Sequence, residues 1–175
     1  MTGASQTPFR IGHGYDLHRL EPVAPDGPGR PFILAGVRFE HLLGPVGRSD
    51  GDALYHALTD ALLGAIGAPD IGRLFPDTDE RLEAADSAVF VAEAVRRMRG
   101  AGYEVGNVDI TVICERPRIG GRHEAMIANV ARLLGCETSR VNIKGKTHEG
   151  VDAVGEGRAV EVHAVALLVH SEGGR

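Results

Sequence analysis

The chain has no tryptophan and only three tyrosines and five phenylalanines in 175 residues, so aromatic rings cannot dominate its core. Valine, alanine and leucine must fill it instead, and at 43% apolar residues there are enough of them. No apolar run reaches the roughly 20 residues of a membrane-spanning helix, which excludes that class. There are only two cysteines, Cys114 and Cys136, too few for a disulfide framework. Each sits in an apolar stretch and reads as a small buried hydrophobe, and the expected compartment is the cytosol. An excess of positive charge is also missing. The formal net charge of −5 argues against broad binding to nucleic acid or to an anionic membrane, yet leaves room for a local basic site for a phosphorylated small molecule.

What is present fits a single domain. The opening MTGASQTP lacks the apolar segment of a signal peptide, so residues 1–8 read as a disordered tail before a domain at 9–171. EPVAPDGPGRP (21–31) is a Pro/Gly loop, and PFILAGVRF after it reads as a strand. RSDGDALYHALTDALLGAIG reads as a helix capped by Ser49 or Asp50, with Leu54, Leu58, Ala61, Leu62 and Ala65 as its apolar stripe. A long irregular segment follows, PDIGRLFPDTDERLEAAD. Helices are expected near 87–99, with Val91, Val95 and Met98 inward, and near 122–134. GNVDITVICERP, VNIKGK and GRAVEVHAVALLV read as strands, the first with Val108, Ile110, Val112 and Cys114 on one face. Strands and helices around one sheet give an α/β or α+β class.

RIGHGYDLHRL places Asp16 and His18 two apart, which on a strand puts both on one face. Such a pair is a metal-ligand pair, an acid–base pair or a polar edge. On the first helix, Asp52, His56 and Asp60 recur at four-residue spacing, so the histidine is flanked by carboxylates that suit it as outer partners. Asp16, His18 and His56 together supply three ligands and leave a fourth position open, the catalytic pattern for zinc. Ser49–Asp52 at the helix start offers backbone N–H groups for a phosphate, with Arg48 beside it. In KGKTHEG (144–150), Lys146 and Thr147 suit phosphate oxygens and Glu149 suits a hard divalent cation. ERPRIGG (115–121) is a strand end turning into a Gly-rich loop that suits a base or a phosphate. No Ser-His-Asp or Cys-His arrangement stands out.

IGHGYDLHRL, SDGDALYHALTDALLGAIGAPDIGRLFPDTD, GNVDITVICERPRI and the final AVALL, in this order, resemble the 2-C-methyl-D-erythritol 2,4-cyclodiphosphate synthases of the non-mevalonate isoprenoid pathway, over about residues 10–169. The resemblance implies an α+β fold, a mixed sheet with helices on one face, in a homotrimer whose sheets face a central axis and whose active sites lie between subunits. It implies zinc, or another divalent transition metal, at Asp16, His18 and His56, and magnesium or manganese at Glu149. The substrate would be 4-diphosphocytidyl-2-C-methyl-D-erythritol 2-phosphate, whose 2-phosphate attacks the β-phosphorus of the CDP group and releases CMP. Asp70 and Gly72 would match the ribose contacts, and the loop from Phe75 through Asp77 to Asp79 the methylerythritol contacts. Cys114, Pro117, Arg118 and Ile119 would line the cytosine pocket, and Thr147 would match a transition-state contact.

The chain departs from that family in two places. Arg48 stands where the family has histidine before SDGD, keeping a cationic donor but losing a group that titrates near neutrality. The segment 146–159 is rewritten, with Lys146 and His148 in place of threonines and Glu156 and Arg158 exchanged, so weak or no binding of isoprenoid diphosphates at the trimer axis is expected. His163 is expected to face that axis. The alternative function is a non-catalytic homologue that binds zinc and a cytidine nucleotide. A metal-dependent phosphohydrolase is a third reading.

Overall fold

The structure is a computed structural model that describes residues 8–76 and 83–171. Asp77 and Asp79, and the expected tail up to residue 7, lie outside the described residues.

The first strand, β1 (Phe9–Pro22), carries the RIGHGYDLHRL motif. The stretch expected as one strand at 31–39 is instead a tight hairpin of β2 (Ile33–Leu34) and β3 (Val37–Arg38). Ala35 and Gly36 both take positive φ, 51° and 68°, which reverses the chain in two residues. After β4 (Leu43–Pro45) come α1 (Ala53–Ala65) and a short α2 (Ile71–Leu74). The irregular segment thus holds one helical turn, capped by Asp70, whose carboxylate accepts from Arg73 N at 2.9 Å. Then follow α3 (Ala88–Gly100), β5 (Tyr103–Ile113), α4 (His123–Leu134), β6 (Val141–Lys146), α5 (Asp152–Gly155) and β7 (Ala159–His170).

Five strands form one mixed sheet in the order β4-β1-β7-β5-β6. All neighbours are antiparallel except β5 and β6, which α4 joins as a parallel pair. Helices α1, α3 and α4 cover one face. Val108, Ile110 and Val112 of β5 and Val160, Val162, Ala164, Ala166 and Leu168 of β7 point into that core. The fold is therefore α+β with helices on one face, as the family resemblance implies. The apolar stripe of α1 is wholly buried, as are Val91, Val95 and Met98 of α3. Helix α1 crosses β1 where Gly12 and Gly14 leave no side chain, so its backbone rests directly on the strand. Cys114 is buried, Cys136 only half-buried, and both are free thiols.

Candidate functional site

Strand β1 sends Asp16 and His18 to its helix-covered face, opposite Val162 and Val160 of β7. Helix α1 brings His56 down onto them. Asp16 Oδ2 lies 2.7 Å from His18 Nε2 and 3.1 Å from His56 Nδ1, and the two imidazole nitrogens are 3.2 Å apart. Ligand atoms on one face of a tetrahedron around a zinc ion, at bonds of about 2.0–2.1 Å, stand about 3.3 Å apart. The three atoms form such a face, slightly contracted. Their donor set of two imidazoles and one carboxylate suits zinc or a similar transition ion.

The outer contacts of His56 point the same way. Asp50 Oδ1 accepts from Ser87 Oγ at 2.5 Å, which leaves the Ser87 oxygen to accept from His56 Nε2 at 2.9 Å. Ser49 Oγ stands 3.2 Å from the same nitrogen. This chain puts a proton on His56 Nε2, so an ion at the site would meet Nδ1, beside Asp16 and His18. His18 Nδ1 is buried against Gly47 and Gly51 without a hydrogen-bond partner among the described residues.

The electrostatics match a site built for a cation. Burial pushes the Asp16 carboxyl up, but hydrogen bonds and charge from His18 and His56 overcome it and hold the group at about 2. Burial pushes His56 down, and Asp16, with help from Asp52 and Asp50, brings it above its ordinary value. A proton on His56 is thus favoured beyond its ordinary binding, and an ion at the site would compete with it.

A cavity of about 390 Å³ opens over these three residues and is also lined by Arg48, Ser49, Gly72 and Phe75. The Phe75 and Phe90 rings pack 4.7 Å apart at its side, and Phe90 also tilts against His56. Arg48 is exposed at the rim, where its Nε is 3.4 Å from Glu83 Oε2.

A profile of the YgbB family matches residues 9–169. The chain is 51% identical over 162 residues to "2-C-methyl-D-erythritol 2,4-cyclodiphosphate synthase, chloroplastic" of Arabidopsis thaliana, covering 93% of this chain and 68% of the relative. It is also 51% identical to the 2-C-methyl-D-erythritol 2,4-cyclodiphosphate synthase of Aromatoleum aromaticum, over 94% of this chain and 96% of that one. The chain belongs to the YgbB family. Among solved structures, IspF of Plasmodium falciparum in a CDP complex superposes with a TM-score of 0.82 at 35% identity, covering 96% of this chain and 100% of that one.

A second cavity in this YgbB-family chain, of about 560 Å³, is lined by Cys114, Pro117, Arg118, Ile119, Gly120, Lys146 and Thr147, among others. It brings the ERPRIGG loop together with the start of KGKTHEG, as β5 and β6 end side by side. Burial drives the Cys114 thiol up to about 12, which disfavours the thiolate at neutral pH. Glu149 is exposed, has a φ of 54°, and is not part of the Asp16–His18–His56 cluster within one chain.

Three sequence expectations are corrected. Helix α1 begins later than expected, because Gly51 has a φ of 76° and Asp52 is its cap. Asp52 does not hydrogen-bond His56. Its carboxylate is fully buried and accepts from four backbone N–H groups, those of Ala35, Gly36, Leu54 and Tyr55. Asp60 likewise turns away and accepts from Ile71 N. Nor is the helix start an open phosphate seat, since the N–H groups of residues 50, 51 and 52 donate to Ala85 O, Ser49 Oγ and Asp50 Oδ1. Sequence reasoning missed Ser87 and Asp50. Ser87 precedes α3 without capping it, and that unused hydroxyl is the one local hint that it serves elsewhere. The exchanged Glu156 and Arg158 do pair, with Nη2 and Oε2 2.5 Å apart.

Proposed function

We propose that the chain cyclises 4-diphosphocytidyl-2-C-methyl-D-erythritol 2-phosphate to 2-C-methyl-D-erythritol 2,4-cyclodiphosphate and releases CMP, as a phosphorus–oxygen lyase of non-mevalonate isoprenoid precursor synthesis. The observation that carries this reading is the convergence of Asp16 Oδ2, His18 Nε2 and His56 Nδ1 beneath a cavity in a YgbB-family chain. The names of the relatives and the CDP bound to a structural neighbour support the cytidine substrate.

The attacking 2-phosphate and the CDP group belong to one molecule, so catalysis is alignment and charge neutralisation rather than covalent chemistry. Zinc at Asp16, His18 and His56, with magnesium or manganese at Glu149 and the substrate diphosphate, supplies Lewis-acid stabilisation when bound. Arg48 donates from a permanently charged guanidinium to a phosphate oxygen at the mouth of the metal cavity. Ser49 holds His56 from behind. Thr147 and Lys146 donate to diphosphate oxygens from the second cavity. Main-chain groups from Cys114 through Pro117, Arg118 and Ile119 take the cytosine. Asp70 and Gly72 take the ribose, and Phe75, with Asp77 and Asp79, the methylerythritol portion.

The nucleotide cavity and the metal cavity are lined by different residues of one chain. A homotrimer that sets the nucleotide cavity of one subunit against the metal cavity of its neighbour unites them. The uncovered sheet face supports such an assembly: Phe9, Ile11, Tyr15, Leu17 and Val165 there are 42–65% exposed. Among the described residues no helix is long and apolar enough to cross a membrane. We assign the chain to the cytosol, although the plant relative is named as chloroplastic.

The test is phosphorus NMR of the purified protein with the cytidyl substrate, zinc and magnesium. Stoichiometric CMP and cyclic diphosphate, abolished by His56→Ala, are expected. A hydrolysed, non-cyclic product would overturn the reaction assigned. Zinc and nucleotide binding without turnover would instead establish the non-catalytic alternative.

A further inference from the structure

Residues 46–52, between β4 and α1, have no regular structure, yet they wall the metal cavity. Gly47 and Gly51 lie against His18, Ser49 reaches His56, and Arg48 stands at the rim. The segment is fixed by a side chain from outside the site. Arg30 Nε donates to Gly47 O at 2.7 Å, and Arg30 Nη2 donates to Arg48 O at 2.9 Å. The same Nη2 reaches Glu83 Oε1 at 2.5 Å, and Glu83 Oε2 stands 3.4 Å from Arg48 Nε. Arg48 is thus held at both ends, its carbonyl by Arg30 and its guanidinium by the carboxylate that Arg30 anchors.

Arg30 is itself firmly seated. Its backbone N–H donates to Pro45 O at 2.9 Å, and Gly44 passes so close to its carbonyl that a Cβ there would stand 1.6 Å from the oxygen. Its guanidinium is a rigid fork of donors, which suits acceptors from two main-chain carbonyls and a carboxylate at once. An exposed ion pair contributes little when both side chains must be ordered to make it. Here the two carbonyls already order one partner, so Glu83 meets a fixed charge. The main chain of the segment has ties of its own, from Ala84 N to Arg48 O at 2.6 Å and from Asp50 N to Ala85 O at 3.0 Å. Removing the Arg30 donors therefore loosens the Arg48 side chain more than it unravels the segment.

We infer that Arg30 is a positioning residue for Arg48: it sets the Arg48 guanidinium at the mouth of the metal cavity before substrate arrives, with Glu83 as the bridge. The inference rests on the reading above, in which Arg48 donates to a substrate phosphate. A long exposed side chain otherwise gives up its rotamers only when the phosphate binds. Arg48, held at its carbonyl and its Nε, has given them up already, so more of its contact is available to the transition state. Arg30 does not line the metal cavity, and its side-chain bonds go to Gly47, Arg48 and Glu83 rather than to Asp16, His18 or His56. It acts through Arg48 and not on the substrate or the ion.

A purely structural tie leads to a different expectation. If Arg30 only pinned Gly47 and Arg48 to β4, Glu83 would have no part in it. The loss of activity on removing Arg30 would then follow the loss of stability and would add to that of Arg48→Ala. A bridge through Glu83 to the Arg48 side chain makes the two losses overlap.

The test compares the full-length wild type with Arg30→Met, which keeps an apolar stem but no donor, Arg30→Lys, Arg48→Ala and the double variant Arg30→Met/Arg48→Ala. Steady-state rates are taken with the cytidyl substrate, zinc and magnesium. Arg30→Met should keep the thermal midpoint and zinc affinity of the wild type. Its kcat should fall by about 10- to 100-fold, the range for a misplaced catalytic contact, with KM little changed. Arg30→Lys should recover only part of this, because one ammonium cannot span both carbonyls and Glu83. The double variant should be no slower than Arg48→Ala. The Arg48 ¹⁵Nε signal of the substrate-free protein should be distinct in the wild type and move to the averaged position of a mobile arginine in Arg30→Met. That signal needs no turnover, so it decides the positioning of Arg48 even where cyclisation fails. An Arg48 signal unchanged in Arg30→Met, a wild-type kcat in that variant, or losses that multiply in the double variant would each overturn the proposal.

Discussion

A methyl group placed on Gly14 would lie 1.8 Å from the carbonyl oxygen of Ala57. The contact joins strand β1 to helix α1 at the point where the strand delivers Asp16 and His18 and the helix delivers His56. Gly14→Ala must therefore push the helix off the sheet, because the obstructing atom is backbone and cannot rotate away. We expect a loss of about 3 kcal/mol or more in stability and a zinc affinity reduced beyond what the stability loss explains. Thermal unfolding and zinc titration of the same variant check both. A Gly14→Ala protein that binds zinc as the wild type does would show that the metal triangle does not depend on this contact.

Asp52 ties the β2–β3 turn to the start of α1 by accepting from Gly36 N at 2.7 Å through Oδ2 and from Ala35, Leu54 and Tyr55 through Oδ1. Asparagine keeps the Oδ1 acceptor but sets an NH₂ group against Gly36 N–H. Asp52→Asn should cost about 2 kcal/mol, the range for a buried donor left unsatisfied. Denaturant melts measure this. An unchanged midpoint would mean that the turn relaxes without it.

The protein without metal should bind zinc in a strongly pH-dependent manner. His56 has a raised folded pKa, so its stabilising contribution is complete below about pH 6.5 and is lost as pH rises through the folded value. Asp16 is depressed to about 2, so its contribution is complete above about pH 4 and is lost only as pH falls through that value. Zinc must displace whatever proton His56 holds, and the raised value extends upward the pH range in which it holds one. Apparent affinity should rise by up to about tenfold per pH unit until His56 is neutral, with one proton released. Calorimetry in two buffers of different ionisation enthalpy counts that proton. An affinity flat between pH 6.5 and 8 would contradict the arrangement.

Arg48→His restores the residue expected from the family at the mouth of the metal cavity. Activity should stay within about tenfold of the wild type or rise, and the rate should acquire an ionisation near pH 6.5, the ordinary range of imidazole. Steady-state rates from pH 5.5 to 9 test this. Complete loss of turnover would mean that the guanidinium does something imidazole cannot.

Much of this was legible beforehand because it depends on local periodicity. Asp16 and His18 share a face of β1 through the two-residue repeat of any strand, and the stripe of α1 follows the helical repeat. Joining His56 to that pair needed the family resemblance, because sequence spacing says nothing about which helix crosses which strand. Asp52 misled for a related reason. Its spacing to His56 is helical, but the positive φ at Gly51 delays the helix by two or three residues, and the carboxylate is spent on a hairpin 16 residues earlier. Ser87 was invisible because its partners, His56 and Asp50, are 31 and 37 residues away.

The strand at the centre of the sheet is also the last in chain order among the described residues. Strand β7 lies between β1 and β5, so neither has its inner neighbour until the ribosome has delivered residues 159–170. During synthesis the metal-binding face of β1 and the nucleotide-binding end of β5 belong to a sheet with no middle. The nascent chain cannot assemble either cavity domain-first, and it exposes two long unpaired edges until residues 159–170 have been made. Stalling or clipping the chain before β7 should leave no partly active fragment, only one prone to aggregate.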